Sequence, residues 1–285
     1  MKKAILLPNS LKDVDLKVTK AVAERLISIG ILPYISAQFI KCIVRGVSFY
    51  KEIPDDADII IVVGGDGSMI EASRIALSLG LPLLGVNLGK VGYLAEVEPD
   101  NLDALTALVT GEYRIDEKML LSTDKIDVNG NMTSIDHLAV NDVVLSHESF
   151  LGICDFNITS DRGDHVQYRA DAVIVSTPAG STAYSLSAGG PIISHDLDVI
   201  MVNPVCPPSF FNRAIVYNPD DKITITNTGD GALNLSIDGR FYDTVLPGEM
   251  CIVYRSNSRI KILNLSKSNL FSTLSKKIRL LRDFE

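Results

Sequence analysis

A short glycine-rich segment, Gly64-Gly65-Asp66-Gly67-Ser68, carries the strongest chemical signal in the sequence. Glycines let the backbone bend tightly and approach a phosphate closely, and a helix that starts after them points free N–H groups at that phosphate. A carboxylate beside a phosphate is electrostatically costly unless it takes a proton from the attacking hydroxyl or shares a divalent metal. The segment therefore predicts a phosphate site with Asp66 in the chemistry. The alternative is a sharp turn in which Ser68 caps the helix.

Two other glycine motifs are not found in the sequence. It has no G-x-G-x-x-G, and Gly85-Val-Asn-Leu-Gly89-Lys90 is one spacer residue short of a P-loop and lacks the Ser or Thr that follows the lysine. A dinucleotide fingerprint and a P-loop NTPase are therefore both disfavoured.

The segment from Ser176 to Pro191 concentrates hydroxyl groups and small residues around one aromatic residue, Tyr184. Serine and threonine offer hydroxyl contacts, the glycines permit close backbone approach, and Tyr184 can stack on a base or pack against it. The segment predicts a loop that lines a nucleotide. The alternative is a flexible surface loop, which fits poorly with Tyr184 and Leu186.

Strands and helices alternate in the first third of the chain and place the glycine segment. Apolar runs predict strands at Ala4 to Leu7, Asp58 to Val63 and Leu83 to Val86, and helical spacing predicts helices at Leu16 to Ile29 and about Ser68 to Leu79. Such alternation indicates a parallel sheet, and open α/β sheets bind ligands at the carboxyl ends of their strands. The glycine segment follows one of those ends.

Helical periodicity fades after about Leu120, and short strands separated by turns take over. The Asn129-Gly130 turn follows a predicted strand at Lys125 to Val128 and precedes a returning strand. Further strands are predicted at Ala139 to Leu145, Ala172 to Ser176, Ala214 to Val216, Lys222 to Thr226, Leu233 to Ile237 and Met250 to Tyr254. This pattern is typical of an all-β sandwich.

The predicted fold class is therefore an α/β N-terminal domain with a Rossmann-like parallel sheet, followed by an all-β C-terminal sandwich. We place the first domain at residues 1–118 and the second at residues 119–265. Helical spacing from Leu270 to Leu281 suggests that the tail, residues 266–285, packs back on the first domain.

Composition and charge narrow the class of protein. The 285 residues are 46% hydrophobic and 22% charged, as expected for an ordered globular protein. The net charge of −8 repels nucleic acid as a partner, so a polyanionic substrate would need local backbone donors, arginines or a metal ion. The sequence has no signal peptide and no apolar run near the roughly 20 residues that cross a bilayer. Scattered cysteines without a C-x-x-C pair suggest a reducing compartment, so we expect a cytoplasmic protein away from membranes.

The four histidines, His137, His147, His165 and His195, show no metal-ligand spacing. We therefore expect no protein-held metal. The expected divalent cation is Mg²⁺ delivered with a nucleoside triphosphate, because Mg²⁺ prefers phosphate oxygens, water and one or two carboxylates.

Taken together, the segments resemble the signatures of the NAD kinase family, over most of the chain. The matching segments are Ile61 to Ser68, Asn87 to Glu96, Asn141 to Val144, Asp171 to Pro191 and Ile237 to Arg240. The resemblance implies phosphoryl transfer from ATP to the 2′-hydroxyl of the adenosine ribose of NAD, giving NADP. It also implies a homodimer or homotetramer in which a neighbouring subunit completes the site.

The resemblance also implies roles for individual residues. Asp66 matches the proton acceptor, Gly67 joins it at the NAD site, and Tyr93 matches an aromatic residue near the adenine. Asn141 and Asp142 match a pair that holds the adenine or its ribose. The other expected contacts to substrate or donor are Gly64, Gly65, Ser68, Arg169, Asp171, Thr182, Ala183, Tyr184, Ser185, Leu186, Ser187 and Arg240.

The sequence departs from the family pattern at two places. Asp142 stands where the family usually has glutamate, so the carboxyl group is one methylene short and reaches a ribose only through a shifted backbone or a water. Pro208, in Pro207-Pro208-Ser209, stands where the family commonly has histidine, and proline neither donates nor titrates.

Two other functions remain open at this point. Gly-Gly-Asp-Gly also resembles the motif of diacylglycerol and sphingosine kinases and of phosphofructokinases, although the segment from Thr177 to Pro191 argues against them. A dinucleotide-binding sensor without turnover is the second alternative, motivated by Asp142 and Pro208. The intact glycine segment would have little purpose in such a sensor.

Overall fold

The computed structural model describes residues 1–42, 44–89, 92–148, 152–208, 212–265, 273–275 and 279. The chain divides into two compact units, one formed by Met1–Glu117 with Ile260–Glu285 and the other by Lys118–Arg259. Of the helix predicted at Leu270 to Leu281, residues 273–275 and 279 are described and are helical, and the others lie outside the described residues.

The first unit is built on a parallel sheet with the strand order β3-β2-β1-β4-β5. Its strands are β1 (Lys3–Pro8), β2 (Leu32–Ser36), β3 (Ser48–Tyr50), β4 (Ile59–Gly64) and β5 (Leu83–Asn87). Its α-helices are α1 (Lys17–Ser28), α2 (Asp66–Leu79) and α3 (Ala107–Thr110). The predicted α/β architecture is confirmed. Strand β4 is a β-branched run that is buried along its whole length, as expected for a central strand covered on both faces.

The two helices next to the sheet differ slightly from their predicted bounds. Helix α1 buries Val22, Ala23 and Leu26 on one face, but it begins at Lys17 because Leu16 adopts a left-handed conformation with a φ of 52°. Helix α2 begins at Asp66, two residues before the predicted start. The carboxylate of the glycine segment is therefore part of the first helical turn and not of the preceding loop.

The second unit consists of two antiparallel sheets. Its strands are β6 (Arg114–Ile126), β7 (Met132–Ser134), β8 (Asp142–His147), β9 (Cys154–Ser160), β10 (His165–Ala170), β11 (Ala172–Ser176), β12 (Ile200–Val205), β13 (Ile215–Tyr217), β14 (Ile223–Asn227), β15 (Leu233–Ile237), β16 (Arg240–Val245) and β17 (Met250–Asn264). Arg114–Glu117 of β6 and Ile260–Asn264 of β17 belong to the first unit.

One sheet of the second unit has the order β13-β12-β11-β8-β15-β16, and the other places β10, β9, β14 and β17 side by side, with β6 paired to β17 and β7. Apolar side chains from both sheets form one buried cluster, with Phe156 and Ile225 from one sheet and Val175 and Leu235 from the other. A core between two sheets is the defining feature of a sandwich, so the predicted class of this half is confirmed.

Two further predictions about the chain concern thiols and membranes. Cys154, Cys206 and Cys251 are free cysteines in the structure, and the side chain of Cys42 is outside the described part. Among the described residues, no helix combines the length and the apolar character needed to span a bilayer.

Candidate active site

The glycine segment lies at the carboxyl end of β4, next to the end of β1. Parallel pairing sets Pro8 opposite Val63, so the residues that follow the two strands meet at one edge of the sheet. The backbone N–H of Asn9 donates to the carbonyl of Val63 at 2.9 Å, and the side-chain amide of Asn9 donates to the hydroxyl of Ser68 at 2.8 Å. This contact ties the loop after β1 to the first turn of α2.

Ser68 does not cap helix α2, so the alternative interpretation of the glycine segment as a serine-capped turn is wrong. The N-cap is Gly65, with extended backbone angles and no side-chain cap hydrogen bond. A Cβ on Gly64 would lie 2.4 Å from the Ser68 hydroxyl, so the close packing of this turn on Ser68 requires glycine at position 64. The first N–H groups of a helix have no intrahelical acceptor, so this end of α2 can receive an anion.

Asp66, the first residue of α2, is held in place by three backbone N–H groups. Its Oδ2 accepts from Tyr93 at 2.9 Å, and its Oδ1 accepts from Leu94 at 2.9 Å and from Ala95 at 3.3 Å. A Cβ on Gly92 would lie 2.9 Å from Oδ1 of Asp66, so only glycine lets this loop approach so closely. The half-buried carboxylate is therefore fixed at the helix N-terminus before any substrate arrives.

Tyr93 belongs to the same loop and shares its half-buried environment. Burial raises the pKa of the Tyr93 phenol, and the negative charge of Asp66 raises it further. The phenol therefore stays protonated at neutral pH and can donate a hydrogen bond. Lys90 and Val91, which belong to the same resembling segment, are outside the described residues.

The sequence analysis missed two residues beside the glycine segment. Asn9 is one, and Lys12 is the other, since its ammonium nitrogen lies 3.2 Å from the position that a Cβ on Gly65 would occupy. The signal that could have found Asn9 was its place directly after β1, where the neighbouring parallel strand carries the glycine segment. Lys12 gives no such signal, because a single lysine in a loop is usually a solvated side chain.

The second unit contains a cavity of about 390 Å³, within the range of small-molecule sites. Its lining residues are Asn141, Asp142, Val144, Ser146, Ala183, Tyr184, Ser236, Asp238 and Gly239. Four of the predicted site residues, Asn141, Asp142, Ala183 and Tyr184, therefore meet in one place. Tyr184 is 45% exposed, so its side chain is accessible to a ligand.

Asp238 fixes the backbone that carries Asn141 and Asp142. Its carboxylate accepts from the backbone N–H groups of Val140 at 2.9 Å, Asn141 at 2.7 Å and Asp142 at 3.1 Å. In return its own N–H donates to the carbonyl of Asp142 at 2.9 Å. Asp238 has a φ of 48°, in the left-handed region that side chains other than Asn and Asp seldom adopt. Asp238 and Gly239 both line the cavity, so this left-handed turn is part of its wall.

The segment from Ser176 to Pro191 holds the same backbone from its other side. The Thr177 hydroxyl donates to the carbonyl of Val140 at 2.7 Å, and the Thr177 N–H donates to the carbonyl of Asn141 at 2.9 Å. A Cβ on Gly180 would lie 2.0 Å from that Asn141 carbonyl, so this contact requires glycine. The segment forms a 3-10 turn at Gly180–Thr182 and a short helix, α4 (Tyr184–Ser187), so it is a wall of the cavity rather than a surface spacer.

Two carboxyl groups face this cavity, and their environment changes their acidity. Burial raises the pKa of Asp142 to about 7, and the neighbouring charge of Asp238 adds to this shift. Burial also raises the pKa of Asp238, although its three backbone hydrogen bonds oppose the shift. At neutral pH the pair therefore carries less than two negative charges, and the Asp142 carboxyl can donate a proton to a ligand acceptor.

The structure does not bring the other predicted residues of this unit into the lining of the cavity. Ser185 is fully buried, and its hydroxyl lies 3.4 Å from the Asn203 amide nitrogen. Arg169 lies on β10 with a largely exposed side chain 3.9 Å from Asp155. The other predicted site residues of this unit that do not line the cavity are Asp171, Thr182, Leu186, Ser187 and Arg240.

The cavity contains residues that the sequence analysis did not select. Asp238, Ser236, Gly239, Val144 and Ser146 all line it. The signal for Asp238 was present, because the Ile237 to Arg240 turn was recognised, but Arg240 was taken from it instead of the aspartate. Val144, Ser146 and Ser236 carry no chemical signal of their own, since they line the cavity from strands β8 and β15, and Gly239 belongs to the same turn as Asp238.

No protein-held metal centre is found in the described ranges, where no three or more His, Cys, Asp or Glu residues come together in a way that could hold an ion. Of the second departing segment, Pro207 and Pro208 follow β12, and Ser209 is outside the described residues.

The fold combines a glycine-rich turn at a helix N-terminus in an α/β unit with a cavity in a β-sandwich, and the family matches identify this arrangement as that of a kinase. Residues 18–113 match the family described as the ATP-NAD kinase N-terminal domain, and residues 140–265 match the ATP-NAD kinase C-terminal domain. The chain belongs to the NAD kinase family.

Similar proteins support this assignment over the full length. The NAD kinase of Caldanaerobacter subterraneus subsp. tengcongensis is 34% identical over 286 residues, covering 98% of this chain and 99% of that one. The NAD kinase of Lachnoclostridium phytofermentans is 33% identical over 284 residues, covering 97% and 99%. The crystal structure of yeast NADH kinase complexed with NADH shares the fold with a TM-score of 0.82 at 20% identity, covering 96% of this chain and 86% of that one. The NAD kinase from Archaeoglobus fulgidus in complex with ATP shares it with a TM-score of 0.72 at 23% identity, covering 97% and 99%.

Proposed function

We propose that this protein transfers the γ-phosphoryl group of ATP to the 2′-hydroxyl of the adenosine ribose of NAD, forming NADP and ADP. The observation that carries the proposal is the Asp66 carboxylate, fixed by three backbone N–H groups at the N-terminus of α2 directly after a glycine-rich turn. Membership of the NAD kinase family over both units supports the same reaction and disfavours lipids and sugar phosphates as acceptors.

In the proposed reaction Asp66 orients the 2′-hydroxyl and accepts its proton. The hydroxyl oxygen forms a bond to the γ-phosphorus, the bond from that phosphorus to the β,γ-bridging oxygen breaks, and ADP leaves with the electron pair. Phosphoryl transfer passes through a loose transition state that needs little help from a base. Because the carboxylate is already immobilised by its amide partners, orientation of the hydroxyl is as important a contribution as proton removal.

The N-terminus of α2 supplies positive electrostatic potential for the donor phosphates, and Gly64, Gly65, Gly67 and Ser68 shape the turn that approaches them. The triphosphate brings Mg²⁺, which neutralises charge on the phosphate oxygens when it is bound. A cation carried on the donor fits the residues present, because Mg²⁺ takes phosphate and water oxygens readily and the described residues offer no cluster of their own.

The cavity of the second unit binds the adenosine half of NAD in this proposal. The accessible ring of Tyr184 stacks on the adenine, and the Asn141 amide offers both a donor and an acceptor to a base or ribose edge.

The predicted residues outside the lining are proposed to act in the site of a neighbouring subunit. Arg169, Asp171, Ser187 and Arg240 are exposed, which is what contacts to a second copy require. We infer a homodimer or homotetramer on this basis. Ser185, in contrast, is proposed to support α4 from within the core.

The test is a substrate panel with purified protein, ATP and Mg²⁺, with NAD, NADH, a diacylglycerol and a sugar phosphate as acceptors. The expected result is NADP formation, detected with an NADP-specific dehydrogenase, and no phosphorylation of the lipid or sugar. Phosphorylation of the lipid or the sugar phosphate without NADP formation would show that the protein acts on another class of acceptor. NAD binding without any NADP would leave a dinucleotide sensor as the function.

A further inference from the structure

Asp142 places a buried carboxyl group in the wall of the cavity of the second unit. The residue is only 5% exposed, and it belongs to the cavity lining. Within the described part of the chain, its carboxyl group makes no hydrogen bond and no ion pair. A buried carboxylate without a donor is costly, so such a group becomes neutral or is satisfied by a ligand. The carboxyl group of Asp142 is therefore available to whatever fills the cavity.

The backbone donors closest in sequence to Asp142 are already used by Asp238. The three N–H groups from Val140 to Asp142 donate to the Asp238 carboxylate, at 2.9, 2.7 and 3.1 Å. Hydrogen bonds to a charged carboxylate favour its charged form. When the two carboxyl groups share one proton, that proton therefore belongs on Asp142 and the negative charge on Asp238.

The neighbouring elements β11 and α4 place hydroxyl groups and acids around Asp142. Ser176 of β11 lies opposite Asp142 in the antiparallel register, and its fully buried hydroxyl has no hydrogen-bond partner among the described residues. Burial raises the pKa of the Tyr184 phenol of α4, and the charges of Cys206, Asp171 and Asp142 raise it further. The phenol is therefore neutral at physiological pH, and these surroundings favour a neutral Asp142 as well.

The chemical state of Asp142 follows from this environment. Burial raises its pKa to about 7, the charge of Asp238 adds to the shift, and no cation of the described chain opposes it. Below that pH the group is a neutral acid with one O–H donor. A buried carboxylic acid that stays neutral can donate a hydrogen bond to a ligand, whereas an ionised one repels an acceptor atom.

We propose that Asp142 recognises the adenosine half of NAD as a neutral acid, donating a hydrogen bond to a ring nitrogen or a ribose oxygen. The proposal rests on the proposed function for the identity of the ligand as NAD. The proton stays on Asp142, and no bond of NAD changes. At a pH where free Asp142 is ionised, the site takes up one proton from solvent when NAD binds, so Asp142 determines which protonation state of the protein binds its substrate.

The test measures NAD binding to the full chain by titration calorimetry at about pH 6 and about pH 8.5. Each titration is repeated in two buffers with different ionisation enthalpies, because a proton taken up on binding comes from the buffer and adds its ionisation heat. Asp142→Asn replaces the acid with an amide of the same shape that does not titrate. Asp230→Asn, at an exposed position of the same unit, is the matched control for loss of a carboxyl group.

Wild type and Asp230→Asn are expected to bind NAD about 10-fold or more tightly at the lower pH than at the higher, because the protonated form binds. At the higher pH they take up about one proton per NAD, and at the lower pH far less. Asp142→Asn should change its affinity less than about 2-fold over this range, with a binding heat that does not depend on the buffer. A purely structural role for Asp142 would change the affinity of the variant at both pH values and leave its pH dependence intact.

Thermal unfolding of each variant monitors folding, and proton uptake by the wild type tests the proposal without any variant. The proposal is overturned if wild type binds NAD equally at the two pH values, or if its binding heat at the higher pH does not depend on the buffer. It is also overturned if Asp142→Asn keeps the pH dependence of wild type.

These outcomes are distinct from failure of the proposed function, which is judged by NADP formation. NAD binding with the expected pH pattern but without NADP would refute the kinase reaction and leave the role of Asp142 standing. NADP formation together with NAD binding that does not depend on pH would support the reaction and overturn the role of Asp142.

Discussion

Asp66 and Asp238 make the same set of contacts in two different units. Each carboxylate accepts hydrogen bonds from three consecutive backbone N–H groups, Tyr93 to Ala95 in one case and Val140 to Asp142 in the other. Asp66 lies half-buried at a helix N-terminus after a glycine turn, whereas Asp238 lies in a tight turn beside a second carboxyl group, that of Asp142.

We call three consecutive backbone N–H groups that donate to one carboxylate a three-amide clamp. The comparison shows that such a clamp does not by itself define the role of an aspartate. What surrounds the clamp decides the role. The helix N-terminus and glycine turn give Asp66 a place beside transferable phosphates, so we assign it to the chemistry. Asp238 instead holds Asn141 and Asp142 in the cavity wall, so we assign it to positioning.

The largest expected effect is that of Asp66→Asn on turnover. The amide keeps an acceptor oxygen for Leu94 and Ala95, loses the acceptor that faces Tyr93, and cannot take the hydroxyl proton. We expect kcat to fall about 100-fold or more, within the usual range for loss of an acid–base group, with NAD affinity nearly unchanged. Steady-state kinetics and NAD calorimetry measure the two quantities, and activity within a few-fold of wild type would remove Asp66 from the chemistry.

The next largest effect is expected for Gly92→Ala, which tests whether the position of the Asp66 carboxylate matters for turnover. The added methyl group would lie 2.9 Å from Oδ1 of Asp66 and 2.6 Å from the carbonyl of Ala95, so the loop must shift and carry the carboxylate with it. A displacement of this kind is expected to lower kcat about 10-fold or more. Gly229→Ala, whose added methyl group would come no closer than 3.5 Å to another atom, serves as the control. Equal kinetics for the two variants would show that the position of the carboxylate is not critical.

For Asp238→Asn we expect a change in KM rather than in kcat. The variant keeps an acceptor oxygen for Asn141 and Asp142 but places a donor against the N–H of Val140, which loosens the backbone just before Asn141 and costs about 1–3 kcal/mol of hydrogen bonding. The KM for NAD should rise about 10-fold while kcat at saturating NAD stays within about 3-fold. Asp230→Asn, at an exposed position, is the control. A selective loss of kcat would place Asp238 in the chemistry.

The smallest effect concerns the pH dependence of stability through Asp142. Its pKa is raised from 3.8 to about 7 by burial and by Asp238, so between these pH values the folded state binds more protons than the unfolded chain. The free energy of unfolding therefore falls as pH rises from about 4 to about 7 and levels off above that. Asp142→Asn lacks this contribution, so wild type should lose on the order of 2 kcal/mol more than the variant between pH 4 and pH 8. The free energy of unfolding of both proteins is measured by urea unfolding at each pH. The same pH dependence in wild type and Asp142→Asn would contradict this assignment.

Much of the fold could be predicted from sequence patterns. The β-branched run of β4 and the helical spacing of α1 and α2 predicted the α/β unit, because buried parallel strands and amphipathic helices leave clear periodicities. Strands β2, β3, β9, β10, β12 and β16 were not predicted. β12 contains a proline, so it depends on pairing with its neighbours rather than on local preference, whereas β10 alternates polar and apolar residues and could have been predicted from that pattern.

The candidate site was predicted in part for the same physical reason. Asp66, Asn141 and Tyr184 sit in segments whose composition is unusual, and the structure places the last two in one cavity. Asp238 and Lys12 were missed because their importance comes from which backbone they approach after folding. A single aspartate or lysine in a turn carries no chemical signal until its partners are known.

The central claim, that two similarly clamped aspartates have different roles, is tested most directly by a paired kinetic measurement. NADP formation is followed against NAD concentration for wild type, Asp66→Asn and Asp238→Asn at saturating ATP and Mg²⁺. We expect Asp66→Asn to lose kcat with NAD binding intact, and Asp238→Asn to raise KM with kcat nearly intact. Loss of the same parameter in both variants, by similar factors, would contradict the account.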